Sequence, residues 1–362
     1  MGKRLVLCCD GTWNRPDQRS AGEPAPTNVV KVALAVAPFD DAGRQQRTFY
    51  QRGVGTEAGE RIRGGLFGFG LSRNVKETYR FLVQNFEPDD EVFLFGFSRG
   101  AYTARSTAGF IRNCGILRPE YSDRIDEAYR LYRSRNDQTH PRSIEAQLFR
   151  RSFSHTTPIR FVGVWDTVGA LGVPLSSGRL GKLVNRPWQF HDTELSSQVE
   201  AAFQALAIDE QRGPFRPAVW KPSEGTRGQR LEQAWFSGVH SDVGGGYPET
   251  SLSDIALRWM VDRARSCGLG FLPDAFRSLG PEGDGTIAAP DPLHQSRKGF
   301  YRLLRPFSRP IGAVDPDHES VSATAIERHR IDPGYAPENL VTYLRRQPAP
   351  STTTDSAVAR AS

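Results

Sequence analysis

Short apolar runs that stop abruptly at a polar residue recur along this chain. Leu5-Val6-Leu7-Cys8-Cys9 stops at Asp10-Gly11-Thr12-Trp13-Asn14, Val92-Phe93-Leu94-Phe95-Gly96-Phe97 at Ser98, Phe161-Val162-Gly163-Val164-Trp165 at Asp166, and Ala234-Trp235-Phe236 at Ser237-Gly238-Val239-His240. Runs of this kind suit strands covered on both faces, where every side chain meets protein whichever way the pleat turns it. Between them the apolar positions take helical spacing. Helices are predicted over residues 27–37, from Asn74 through Val75, Tyr79, Leu82, Val83 and Phe86, and over 123–133, 144–153, 199–208 and 252–267. Residues 47–51 read as a further strand and the glycine-rich 53–70 as a loop. Strand and helix alternate, which predicts βαβ units and a mostly parallel central sheet flanked by helices. One α/β domain with insertions is expected over residues 1–345, followed by a disordered tail over 346–362, where apolar content gives way to Pro, Ser, Thr and Ala.

The run that ends at Ser98 carries the most chemistry. Gly96-Phe97-Ser98-Arg99-Gly100 lies between a buried-strand pattern and a helix-compatible stretch with small residues at Ala101, Ala104 and Ala108. A strand that turns into a helix this sharply leaves the central serine strained and exposed, and the positions on either side must lack side chains for strand and helix to approach. Ser98 is therefore the candidate nucleophile, against the plainer reading of a turn serine. A serine hydroxyl needs a base to take its proton and a third group to fix the tautomer of that base. Asp166 and His240 both follow strands, and the carboxyl ends of parallel strands line one crevice. Asp166 is the candidate orienter and His240 the candidate base, in the chain order Ser, acid, His. The competing readings are a helix cap for Asp166 and a His240/Asp242 metal chelate.

The backbone N–H of Arg99 is the expected oxyanion donor, and the turn at Gly11 and Thr12 is the candidate second donor. Asp10 either supports that turn or closes an Asx-turn. Asp242 either anchors the loop that carries His240 or caps it. Cys8 stands where a phosphatase signature of the type Asp-x-Asp-Gly-Thr has its nucleophilic aspartate, which argues against that enzyme class. The glycine-rich stretch from Gly64 to Gly70 lacks the Gly-Lys-Ser/Thr of a phosphate loop. Residues 297–309 mix five basic residues with Phe300, Tyr301, Leu303, Leu304 and Phe307; they either dock at an anionic lipid surface or cover the core with their arginines solvated.

Composition narrows the field further. Lys and Arg number 47 against 41 Asp and Glu over 362 residues, and this net charge of +6 is spread along the whole chain, too diffuse for a nucleic-acid footprint. The cysteines Cys8, Cys9, Cys114 and Cys267 form no CxxC pair, and a reduced, cytoplasmic compartment fits them. The first apolar run stops at Asp10, short of a signal-peptide core, and no stretch reaches the ~20 apolar residues of a membrane span, so export would need a signal-independent route.

With these residues in place the chain resembles the α/β-hydrolase domain family that includes the type VI secretion phospholipase effectors. The likeness runs from Cys9-Asp10-Gly11-Thr12-Trp13-Asn14 through the Ser98 block, Gly163-Val164-Trp165-Asp166-Thr167-Val168-Gly169 and Ala205-Leu206-Ala207-Ile208-Asp209-Glu210-Gln211-Arg212, to the block from Trp235 to Tyr247. It implies an α/β-hydrolase-like fold and a lipase-type site on Ser98, Asp166 and His240. It also implies phospholipid or other lipid esters as substrate, with no cofactor or metal. Peripheral contact with a membrane surface is expected, as is an immunity or delivery partner if the chain is an exported effector. Beside the large effectors little more than the catalytic domain is expected, with neither an extended membrane-anchoring region nor a recognisable delivery module. A catalytically silent lipid- or partner-binding module on the same fold is the alternative.

Overall fold

The computed structural model describes residues 2–11, 14–20, 22–53, 66–134, 140–168, 194–223, 228–279 and 292–346. Seven strands form the central sheet: β1 (Arg4–Cys9), β2 (Gln46–Gln51), β3 (Glu91–Phe97), β4 (Phe161–Trp165), β5 (Ala201–Ala207), β6 (Arg230–Phe236) and β7 (Glu319–Val321). They lie in the order β7-β6-β5-β4-β3-β1-β2, and every pairing is parallel. The sheet is thus the flanked, parallel one that the apolar runs predict.

Each run divides its side chains between two cores. Leu5, Leu7, Val92, Leu94, Val162 and Val164 face the helices α2 (Leu66–Asn85), α3 (Arg99–Cys114), α4 (Ile125–Arg133) and α5 (Ile144–Phe153). Val6, Cys8, Phe93, Phe95, Phe161, Trp165 and Phe203 face the other way, toward α1 (Asn28–Ala35) and the long helix Ser251–Ser266. On that second face the rings of Phe93, Phe95 and Phe203 each pack against that of Phe161, with centroids 5.0–5.7 Å apart. Contacts of that kind contribute about 0.5–1.5 kcal/mol each beyond the area they bury.

The strand order reverses once, at β1. The chain leaves β1 toward one edge and returns to build β3, β4, β5 and β6 on the other side, so the helices after β1 and β3 lie on opposite faces. A crevice opens between the carboxyl ends of β1 and β3 at such a switch point, and open α/β sheets bind ligands there. Register puts the strand ends level: Cys9 lies opposite Gly96, Phe97 opposite Trp165, and Ala207 opposite Phe236. Asp10, Ser98, Asp166 and the residues after Phe236 consequently emerge along one edge.

Three expectations are corrected. Residues 199–208, read as a helix, contain β5, buried along its length in mid-sheet. Ala201-Ala202-Phe203-Gln204-Ala205-Leu206-Ala207 is rich in helix formers, and pairing with neighbours on both sides overrides a propensity worth only tenths of a kcal/mol per residue. The helix read from Asn74 begins at Leu66, so Leu66 to Gly70, read as loop, start α2; the rest of that loop, 54–65, lies outside the described residues. Arg346, the first residue of the expected tail, ends the last helix, Glu338–Arg346, and 347–362 lie outside the description. All four cysteines are free and buried, with burial pushing the Cys9 thiol up to about 12.

Candidate active site

Ser98 joins β3 directly to α3 with φ 56° and ψ −116°, a backbone region that L-residues rarely occupy, and is buried rather than exposed as expected, because β1 and α3 close around the turn. Holding a non-glycine residue there costs about 1–3 kcal/mol and persists only where the surroundings enforce it. Here the surroundings are β1. A Cβ on Gly100 would sit 2.0 Å from the Cys9 carbonyl oxygen, and one on Gly96 2.5 Å from the Gly100 carbonyl oxygen. The two glycines let α3 start against the end of β1 while β3 turns beneath it. Ser98 donates its backbone N–H to Trp165 O at 3.0 Å, which ties the turn to β4 one residue before Asp166.

Asp166 also has a positive φ, 39°, and its side chain is fully buried. Its Oδ2 lies 2.5 Å from His240 Nδ1. Oδ1 accepts from the Ala207 N–H at 3.1 Å. Arg309, which no surface touches, grips both oxygens, with Nη1 2.6 Å from Oδ1 and Nη2 3.0 Å from Oδ2. The same guanidinium donates to the Ala207 carbonyl at 2.9 Å and the Phe215 carbonyl at 2.5 Å. Burial by itself would raise the Asp166 pKa; the charges of Arg309 and His240 and the bonds they make outweigh it and hold the carboxyl well below the usual range. Asp166 is therefore ionised near neutral pH.

His240 opens a five-residue helix, α6 (His240–Gly244), where a glycine-rich loop was expected. Its ring packs 4.6 Å from that of Phe97, the residue before Ser98, and 5.0 Å from that of Phe215. Gly244 makes the close approach possible, since a Cβ there would lie 2.0 Å from the Phe97 ring. With Nδ1 on Asp166, Nε2 is the nitrogen left to take up a proton.

Of the other predicted site residues, Arg99 begins α3, and its backbone N–H points out of the helix's positive end. Gly11 lies beside Ser98: a Cβ on it would be 3.3 Å from the Ser98 Cβ. Its N–H, however, bonds Asp10 Oδ1 at 2.6 Å, one residue on where an Asx-turn would bond the second, so the Gly11 N–H is engaged. Thr12 lies outside the described residues. Asp10 also accepts from Thr27 Oγ1 at 2.8 Å, Tyr50 OH at 2.6 Å and Asn14 Nδ2 at 3.3 Å; burial nonetheless raises its pKa. Asp242 both caps and anchors. It accepts from the Val239 N–H at 2.9 Å and lies 2.6 Å from His294 Nδ1. Among the described residues no group of three or more His, Cys, Asp or Glu is placed to hold a metal ion.

Three residues at this edge escaped the sequence reading. Arg309 was counted with a basic surface stretch, and no local pattern separates it from its neighbours. His294 sits in a polar stretch with no local pattern to single it out, yet its ring stacks on Tyr247 with centroids 3.8 Å apart. Glu210 is buried, bonds Arg212 three times, and takes the Ser296 hydroxyl at 2.9 Å. Its position just past a strand end was the available signal. The segment 292–311 thus lies across the carboxyl edge, fastened at His294–Asp242, Ser296–Glu210, Phe307 N–Gln211 O and Arg309–Asp166.

The parallel sheet, the strained turn at the carboxyl end of β3 and the buried Asp166–His240 pair beside it define an α/β-hydrolase-like protein. The chain belongs to the family described as T6SS, phospholipase effector Tle1-like, catalytic domain, whose model matches residues 3–263. It is similar to the uncharacterised protein YEL023C of Saccharomyces cerevisiae, 27% identical over 243 residues, which are 61% of this chain and 33% of that protein. Among solved structures it resembles an uncharacterised protein from Pseudomonas aeruginosa (TM-score 0.44, 19% identity, 76% of this chain and 47% of that one). It also resembles a Tle1 effector bound to the VgrG spike of the type VI secretion system (TM-score 0.39, 20% identity, 68% of this chain and 51% of that one). The chain spans about half or less of the length of each of these relatives. No helix among the described residues is long and apolar enough to cross a membrane.

Proposed function

We propose that the chain hydrolyses carboxylic esters of lipids, with phospholipid the leading class, through Ser98, His240 and Asp166. The observation that carries this is the Asp166 carboxylate, fully buried, ionised and 2.5 Å from His240 Nδ1, one strand over from a serine held at φ 56°. Ser98 Oγ attacks the ester carbonyl as its proton passes to His240 Nε2. Asp166 holds Nδ1–H and stabilises the imidazolium without taking the proton. The Arg99 N–H, at the positive end of α3, meets the developing oxyanion. His240 then protonates the leaving alcohol, and water, activated by the same imidazole, releases the acid from the acyl-serine. The family's description as phospholipase effectors supports the lipid class. A delivery spike as partner is an extension by analogy with the effector–VgrG complex.

Fluorophosphonate labelling of wild type and Ser98→Ala, followed by fatty-acid release from mixed phospholipid vesicles, tests the reading. Labelling confined to wild type with acid released is expected. Labelling without release keeps the serine hydrolase and discards phospholipid. Equal labelling of both proteins discards Ser98, and absence of labelling in either discards the activated serine.

A further inference from the structure

Resting on that reading, we propose that the turn Gly299–Leu303 is a docking element for an anionic lipid bilayer, built beside the site so that the chain meets its substrate at the membrane surface. In this turn Phe300 is 50% exposed and Leu303 82%, the largest exposure of any large apolar side chain among the described residues. Two adjacent apolar side chains on one short turn are small for a protein interface but sufficient to enter the headgroup boundary of a bilayer.

The charge around them identifies the surface. From Pro292 to Val314 the sequence contains no Asp or Glu, while Lys298, Arg302 and Arg305 flank the apolar pair and are exposed. Long basic side chains at the rim of an apolar turn reach phosphates at the level where the apolar groups enter acyl chains, an arrangement that favours an anionic leaflet over a neutral one. Arg309 is excluded from this set because it is buried against Asp166.

The turn is also joined to the site. Tyr301, between the two exposed residues, packs its ring 6.4 Å from Phe215, and Phe215 packs 5.0 Å from His240. The Arg212 guanidinium lies over both rings, 3.5 Å from Phe215 and 5.5 Å from Tyr301. On either side of the turn Ser296 and Phe307 are fastened to Glu210 and Gln211. The exposed pair is thus held on a supported turn, one aromatic contact removed from the ring that touches the candidate base.

The test uses the full chain carrying Ser98→Ala, so that partitioning is read without turnover and its failure is distinct from failure of the hydrolase reading. Co-sedimentation is measured with vesicles of phosphatidylcholine alone and of phosphatidylcholine mixed with phosphatidylglycerol. Stronger partitioning onto the anionic vesicles is expected. The triple change Lys298→Glu, Arg302→Glu, Arg305→Glu should weaken it by on the order of 10²-fold or more, and Phe300→Ser with Leu303→Ser by about tenfold or more. Each alters only exposed side chains, and an unchanged Tm checks that the fold is kept. A tryptophan at position 300 (Phe300→Trp) should shift its emission to the blue on the anionic vesicles. The proposal is overturned by equal partitioning of wild type on both vesicles, by no loss in either variant, by no emission shift, or by a concentration-dependent dimer that the Phe300/Leu303 change dissolves.

Discussion

Arg309 is the residue whose removal tests the electrostatics of the site most directly. Replacing it with methionine keeps the bulk of its stem and deletes the guanidinium that grips Asp166 at 2.6 and 3.0 Å while bonding two backbone carbonyls. Both partners of the ion pair have no exposed side-chain surface, so the change leaves a carboxylate buried with only His240 and the Ala207 N–H. Breaking a buried pair by removing one member typically costs about 3–5 kcal/mol. At an unfolding entropy of about 2.1 cal/mol/K per residue, a domain of this size should lose on the order of 5 °C in Tm. A merely structural arginine would do the same, so the deciding readout is the pH profile of ester hydrolysis. With Arg309 gone, burial is no longer offset by the guanidinium charge and the Asp166 carboxyl should titrate higher, so the acid limb, where activity that needs the ionised carboxylate is lost, should lie at higher pH than in wild type. Arg309→Lys, which restores charge without the two-pronged grip, should return the limb most of the way and leave part of the Tm loss. An Arg309→Met protein with unchanged Tm, or with lowered Tm and an unmoved acid limb, would refute the argument.

Other consequences of the geometry are as open to test. Gly100→Ala puts a methyl 2.0 Å from the Cys9 carbonyl, a backbone atom that cannot rotate away, so it should cost about 3 kcal/mol or more, read as a lower midpoint in urea. Ser98→Gly abolishes turnover under the proposed mechanism but relieves a φ of 56°; its Tm should rise, by an amount corresponding to about 1 kcal/mol, and a fall would show that no strain is stored there. Asp209, which accepts from the Gly238 N–H at 2.6 Å and Tyr335 OH at 3.0 Å, has its pKa raised to about 6 by burial. The folded state therefore binds this proton more tightly than the unfolded chain, and the group's contribution to stability, full below about pH 4, is lost as pH rises through 6. Asp209→Asn, neutral throughout, should melt higher than wild type at pH 8 and equally at pH 4; a gap independent of pH counts against the shift.

What the sequence disclosed and what it withheld divide along a physical line. The buried strands β1, β3 and β4 were legible because a strand covered on both faces has to be apolar at every position, and a polar residue that ends such a run marks the edge where solvent and substrate enter. Ser98 and Asp166 end such runs directly and His240 follows one by four residues, the Gly-x-Ser-x-Gly spacing singles out Ser98 as well, and Asp209-Glu210 would have stood out in the same way had β5 been read as a strand. β5 was misread because Ala and Gln carry no strand preference of their own; its state is decided by β4 and β6, which lie far from it in sequence. Arg309 was beyond the reach of pattern for a different reason. It is buried against a carboxylate, and Asp166 stands 143 residues away in the chain. Nothing in the run from Arg297 to Arg309 distinguishes the one arginine that enters the protein from those that remain outside. The pairing of charges across the carboxyl edge is a property of the folded sheet, so local sequence locates the strand-end groups of the site while the fold chooses the partners that tune them.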